Sequence, residues 1–261
     1  MRREFTFLLA LWKANLLSAM EYRVAFLTQV IGMMLNNGVY FLIWVIFFDR
    51  FDNIRGWGLN EMMLLFGVVA CGFGLGVFLF GNTTALAGII AKGQLDYYLS
   101  LPRPVLLHVI SSSSVTSGLG DFTYGILSFL AARQFNASAV LRFTCGVIVS
   151  TIVFVSFLVF VQSLAFWLGN AELLGQQAVN AVITFSLYPI NLFDGTAKLL
   201  LFTVIPAAFV GAVPAELIVT FSWERFALLL AAAAALLILA VFTFYRGLRR
   251  YESGSAIQSQ V

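Results

Sequence analysis

Residues 81–104 read GNTTALAGIIAKGQLDYYLSLPRP. The stretch carries three charges, Lys92, Asp96 and Arg103, and it ends on Pro102 and Pro104, where a helix cannot run on unbroken. Long uncharged runs flank it on both sides, so it reads as a structured surface segment between two membrane-crossing helices. Leu95, Leu99 and Leu101, with Tyr97 and Tyr98 between them, give it a partly apolar surface suited to a partner. The same residues also fit an ordinary polar loop that contains a short interfacial helix.

Outward from this stretch, the 261 residues are 61% hydrophobic and only 10% charged, against roughly 25% charged in a soluble domain. The chain is therefore expected to be an integral membrane protein, in contact with the lipid bilayer. A net charge of +3 does not point to nucleic acid, because the basic residues lie between apolar segments and form no stripe. Cys71 and Cys145 sit inside apolar runs without metal-ligand spacing and read as small hydrophobes.

The first 23 residues lack the form of a signal peptide, since Lys13 and Asn15 break the apolar run. Phe5, Leu8, Leu9, Trp12, Leu16 and Met20 recur at three or four residues, which predicts an amphipathic helix in the membrane interface over 1–23. Residues 24–48 hold no charge and are long enough to span. Gln29, Gly32, Asn36 and Tyr40 form a line along this helix, and with Asn37 they call for a face against protein or a wet cavity. Further spans are expected at 62–80, 106–131, 143–171, 172–190 and 226–245.

Within 106–131, Asp121 is the one acid deep inside an expected membrane helix, on a polar, small-residue face with Ser117 and Tyr124. Such a carboxylate is paired, protonated or functional, and helix packing competes with path-lining as its role. Asn180, Thr184 and Tyr188 add a second polar line at four-residue spacing. Asn136 and Ser138 match an acceptor sequon, and Asn170 is placed to cap the helix that follows it. Residues 191–219 are interrupted by Pro206, with Pro214 near the end, and suit a re-entrant or interfacial pair of short helices better than a full crossing.

The expected fold is thus all-α: one polytopic membrane domain over 1–261 with six transmembrane helices, an N-terminal interfacial helix and a re-entrant region before the last span. Six spans put both termini and 81–104 on one side, with nine Lys and Arg residues against six on the other. That bias places both termini in the cytoplasm.

The order of these elements, with Gly93, Leu95, Asp96, Leu99 and Pro102 in the cytoplasmic segment and Tyr188, Pro189, Phe193, Pro206 and Pro214 late in the chain, resembles the permease subunits of ABC-2 type exporters. The likeness covers nearly the whole chain and lies in the order of elements more than in local motifs. It implies an elbow helix at the N-terminus and, within 82–99, a coupling helix that touches a separate ATPase subunit, with Lys92 among its contacts. It also implies short helices over 191–217 that close the outward end of the path. The family works as dimers, of two copies or of two homologous permeases, in a prokaryotic plasma membrane. No Walker A glycine-lysine sequence occurs here, so this chain is expected to bind no cofactor, and ATP with its magnesium belongs to the partner ATPase. Asn36, Asn37, Asp121, Asn180 and Thr184 are then the candidate path-lining residues, for an amphipathic or hydrophobic substrate.

Two other classes remain open. An intramembrane enzyme needs a convergent acid, base or metal set, whereas the single histidine, His108, is remote in sequence from Asp121. An ATP-independent channel or secondary carrier needs an internal repeat or a charged pathway, and one buried acid is thin support for either.

Overall fold

The computed structural model describes residues 2–133 and 136–252. They form fourteen α-helices, two short 3-10 turns and one isolated β-bridge between Ile54 and Trp57. In chain order the helices are α1 (Arg2–Glu21), α2 (Arg23–Arg50), α3 (Leu59–Leu79), α4 (Leu86–Ala91), α5 (Leu95–Leu99), α6 (Val105–Ser111) and α7 (Gly118–Ala131). They continue with α8 (Ala137–Ser163), α9 (Ala165–Leu168), α10 (Glu172–Ser186), α11 (Gly195–Thr203), α12 (Ala207–Val210), α13 (Ala212–Val219) and α14 (Trp223–Leu248).

Among the described residues, four helical stretches are long and apolar enough to cross a membrane: Arg23–Arg50, Leu59–Leu79, Ala137–Leu168 and Trp223–Leu248. A fifth exists if Gly195–Thr203 and Ala207–Val219, bent by 65° at a short break, count as one span. The break falls at Pro206, as the sequence predicts. Two of the six expected spans depart from continuous crossing helices. The one expected at 106–131 is interrupted between Ser111 and Gly118, where Ser112 bonds the backbone locally. Ser112 Oγ donates to Val109 O at 2.9 Å, and Gly81 N and Val115 N tie the break to the end of α3 through Ser113 O and Val77 O, both at 3.0 Å. Helix α10 has 15 residues and reaches roughly 22 Å at 1.5 Å per residue, short of a hydrocarbon core of about 30 Å.

Helices α3 and α8 form the centre, each with 72% of its most apolar stretch buried, while the figure for α2 is 6% and for α14 22%. Backbones approach closely around α3. Gly74 lies against Gly118 and Phe122 of α7, and Gly72 faces Ser150 of α8, so a Cβ at either position would collide. The start of α8 is fixed by Asn136, whose Oδ1 accepts from Ala139 N at 2.7 Å. The amide that matched a sequon therefore serves as a helix cap. Asn170 Oδ1 accepts from Glu172 N at 3.3 Å, as expected of a residue at the head of α10.

The ion pairs, with the contacts of Trp12 and Arg142, fall into two sets. In one, Trp12 Nε1 donates to Leu79 O (2.7 Å), Arg103 pairs with Glu4 (2.9 Å) and Lys92 pairs with Glu172 (3.0 Å). In the other, Arg55 pairs with Asp194 (2.8 Å), Arg142 donates to Ile218 O (3.3 Å) and Arg225 pairs with Glu216 (2.9 Å). The first set joins the N-terminal helix, the 81–104 segment and the head of α10. The second joins the 51–58 turn, the early part of α8 and both ends of 191–225.

Candidate functional site

A cavity of about 470 Å³ opens between α2, α3, α7 and α10. All five residues singled out for their polar character in apolar helices line it: Asn36 and Asn37 from α2, Asp121 from α7, and Asn180 and Thr184 from α10. Tyr40 and Tyr188 join them, each one step further along a line read from the sequence. Most of the rest is apolar and aromatic, including Met33, Trp44, Phe47, Phe66 and Phe73, which hydropathy cannot distinguish from core residues. Trp44 meets the Tyr188 ring edge-on at 5.8 Å and joins the α2 wall to the α10 wall.

Asp121 is the one charged residue type among the described residues lining the cavity. It is 3% exposed, in the first turn of α7, and its Oδ1 accepts from Asn37 Nδ2 at 2.7 Å. Asn37 also donates to Met33 O at 3.1 Å. The partner of the carboxylate thus comes from another helix and is neither Ser117 nor Tyr124. The second oxygen, Oδ2, is buried without a hydrogen-bond partner, which leaves acceptor capacity unspent beside the cavity. His108 is elsewhere, between the rings of Phe7 (5.1 Å) and Tyr98 (5.2 Å), and forms no constellation with Asp121.

The residues expected to face a partner divide by exposure. Lys92, Pro102, Tyr97 and Leu99 are exposed, whereas Leu95 is fully buried and supports the segment from beneath. Gly93 has φ +71° and ends α4, with its own N–H on Ile90 O (3.2 Å) and Gln94 N on Ile89 O (3.0 Å). This is a left-handed helix cap that favours glycine. Asp96 lies beside Tyr251, whose hydroxyl is pushed up to about 12 by burial and then by that carboxylate. The segment is also held from within by Gln162 of α8, which is 1% exposed and absent from the sequence reading. Its Oε1 accepts from Ala87 N at 3.0 Å and its Nε2 donates to Thr84 O at 2.7 Å. A lone glutamine in an apolar run was the available signal.

The residues expected at the outward closure are not brought together as one cluster. Tyr188 lines the cavity and Pro189 is buried behind it, while Phe193 packs on Phe185 at 6.0 Å. Pro206 marks the break before α12, and Pro214 packs away from the others, against Gly146 of α8.

Residues 34–255 match the family model described as ABC-2 family transporter protein. No curated protein and no solved structure matches the chain.

Proposed function

Given that the chain belongs to the ABC-2 transporter family and is a multi-pass membrane protein, we propose that it is the permease subunit of an ATP-driven exporter, supplying half of the path and none of the phosphoryl chemistry. The observation that carries this reading is the cavity. Three separate helices direct amides, hydroxyls and one carboxylate into a space otherwise walled by aromatic and aliphatic side chains. Such a lining suits an amphipathic substrate with a large apolar body and a polar or cationic end. Cavity residues Asn36 and Tyr40 lie on α2, which the rest of the chain barely covers, so a second permease, identical or homologous, would complete the wall.

In this reading the exposed face of 81–104, with Lys92, Tyr97, Leu99 and Pro102 and the half-buried Asp96 at its edge, meets a separate ATPase that binds ATP and magnesium. ATP-driven closure of that partner pushes the segment, and Gln162 and the Lys92–Glu172 pair carry the displacement into α8 and α10. Six passages of the chain between two faces agree with the two separate sets of polar contacts, with α6 and α7 sharing one passage and α10 making another. Both ends of 195–219 contact the same set of loops, which supports a re-entrant segment on the outward side. The basic-residue count favours cytoplasmic termini in a prokaryotic plasma membrane.

The test is capture of the tagged protein from its native membrane, followed by reconstitution of the purified assembly. An associated Walker A protein and export of a fluorescent amphiphile that stops when magnesium-ATP is withheld are expected. Transport at full rate by the chain alone, without ATP, would replace this reading with a channel or secondary carrier.

A further inference from the structure

A second cavity lies on the far side of a thin partition from the first. It also measures about 470 Å³, but its walls are charged and include Glu61, Lys198, Glu216 and Arg225. Neighbouring residues of the same two turns line opposite spaces. Ile54 and Tyr188 line the first cavity, while Arg55 and Trp57, and Ile190 and Asn191, line the second. The two turns are therefore the partition.

Their geometry brings one side chain across the seam. Ile54 and Trp57 exchange backbone hydrogen bonds at 2.8 and 3.0 Å, and the two residues between them, Arg55 and Gly56, have φ of +48° and +89°. This is the sign pattern of a tight two-residue hairpin, in which an arginine is uncommon at the first central position. From there Arg55 Nη1 donates to Asn191 O at 2.6 Å and to Asp194 Oδ2 at 2.8 Å, and Asn191 Nδ2 donates back to Arg55 O at 3.4 Å. Beneath the seam Trp57 and Ile190 are 4% and 5% exposed. Above it the side chains of Arg55 and Asp194 are 52% and 77% exposed. The barrier is dry below and closed on top by an ion pair in water, and a pair so solvated holds weakly and releases readily.

We propose that Arg55 is the latch of the barrier between the two cavities, and that its release from Asn191 and Asp194 joins the cavity holding Asp121 to the charged one. The inference rests on the reading of the first cavity as a transport path and names the residues that close its outward end. The polar bonds to be broken all lie at the exposed rim, and the buried contact of Trp57 and Ile190 beneath them has to part once they are released.

The test uses Thr184→Cys, on the wall of the first cavity, in a full-length protein with Cys71 and Cys145 replaced by alanine. A charged, membrane-impermeant methanethiosulfonate is added to intact cells and, separately, to inverted vesicles. Arg55→Ala and Asp194→Ala are each expected to raise the rate of Thr184→Cys labelling several-fold from the face that carries the two turns, while Arg55→Lys, which keeps a charged donor, stays near the parent rate. Unchanged rates in both alanine variants overturn the latch, as does an equal rise in Arg55→Lys. A rise confined to inverted vesicles supports the latch and reverses the assigned orientation. Labelling needs neither ATP nor a transported compound, so a negative result leaves the exporter reading standing. Failure of the reading of the first cavity as the path would appear instead as export that survives complete modification of Thr184→Cys.

Discussion

Asn37 of α2 and Asp121 of α7, 84 residues apart, meet at 2.7 Å on the wall of the cavity, with the amide donating and the carboxylate accepting. The bond ties the least covered long helix to the core and leaves Asp121 Oδ2 unspent. Asp121→Asn keeps an acceptor for Asn37 at nearly the same volume, whereas Asp121→Ala leaves one N–H of that amide unpaired at a cost of about 1–3 kcal/mol. The expected outcome is a folded Asp121→Asn protein that loses roughly tenfold in affinity for a cationic amphiphile, equivalent to ~1.4 kcal/mol, and little for a neutral analogue. Tetraphenylphosphonium and a neutral aromatic of similar size, titrated against protein in nanodiscs, supply the measurement. Equal loss for both compounds would assign Asp121 to helix packing.

The path of the chain at 191–219 is decided by where its ends emerge. Asp194 is joined to Arg55, and Glu216 to Arg225, so both ends belong to one set of contacts. Single cysteines at Asp194 and Glu216, without Cys71 and Cys145, are expected to react with an impermeant thiol reagent added outside the cell. Reaction of Glu216→Cys from the cytoplasmic side alone would make 195–219 a crossing.

How much of this was legible depends on the range of the physics involved. Local periodicity locates the cavity lining, because Asn180 and Thr184 share one face of α10, which ends at Ser186, and Tyr188 follows in the turn just beyond it. It cannot say that this face meets Asn36 and Asp121, since that depends on packing across the whole chain. The break between α6 and α7 falls in the run Ser111 to Ser114, where Ser112 bonds the backbone locally, a signal that hydropathy averages away. Leu95 turned inward because the phase of the five-residue α5 is set by its neighbours. In the sequence Arg55 is one charge in the polar stretch between α2 and α3, and its contact follows only from the backbone at 54–57 meeting a turn 136 residues later.

Gly93 and the exposed face of 81–104 are expected to respond differently to mutation. With φ at +71°, Gly93→Ala forces a left-handed alanine and costs about 1 kcal/mol locally, whether or not a partner docks. Leu99→Ala and Tyr97→Ala test docking more directly, because these side chains are 44% and 65% exposed. They are expected to reduce co-purification of the ATPase at least several-fold with unchanged membrane insertion. Full retention of the ATPase by both variants would remove this face from the interface.

Gln162 provides the sharpest test of how the segment is held. Its single amide satisfies Ala87 N–H near the start of α4, which no side chain within the segment caps, and also takes up Thr84 O. Gly175 of α10 lies so close to the amide that a Cβ there would collide with it, so α4, α8 and α10 converge on this one side chain. Gln162→Leu keeps most of the volume and strands the buried Ala87 N–H, at about 1–3 kcal/mol, and also frees the half-buried Thr84 O. Hydrogen exchange is expected to speed up by tenfold or more in a peptide covering 84–92 while the interior of α3 stays protected. In the assembled transporter the same variant should hydrolyse ATP with less substrate moved per ATP, because the push would be absorbed by a loosened joint. Unchanged exchange in 84–92 would show that the segment is fixed by its apolar contacts, and the amide would then have no part in transmission.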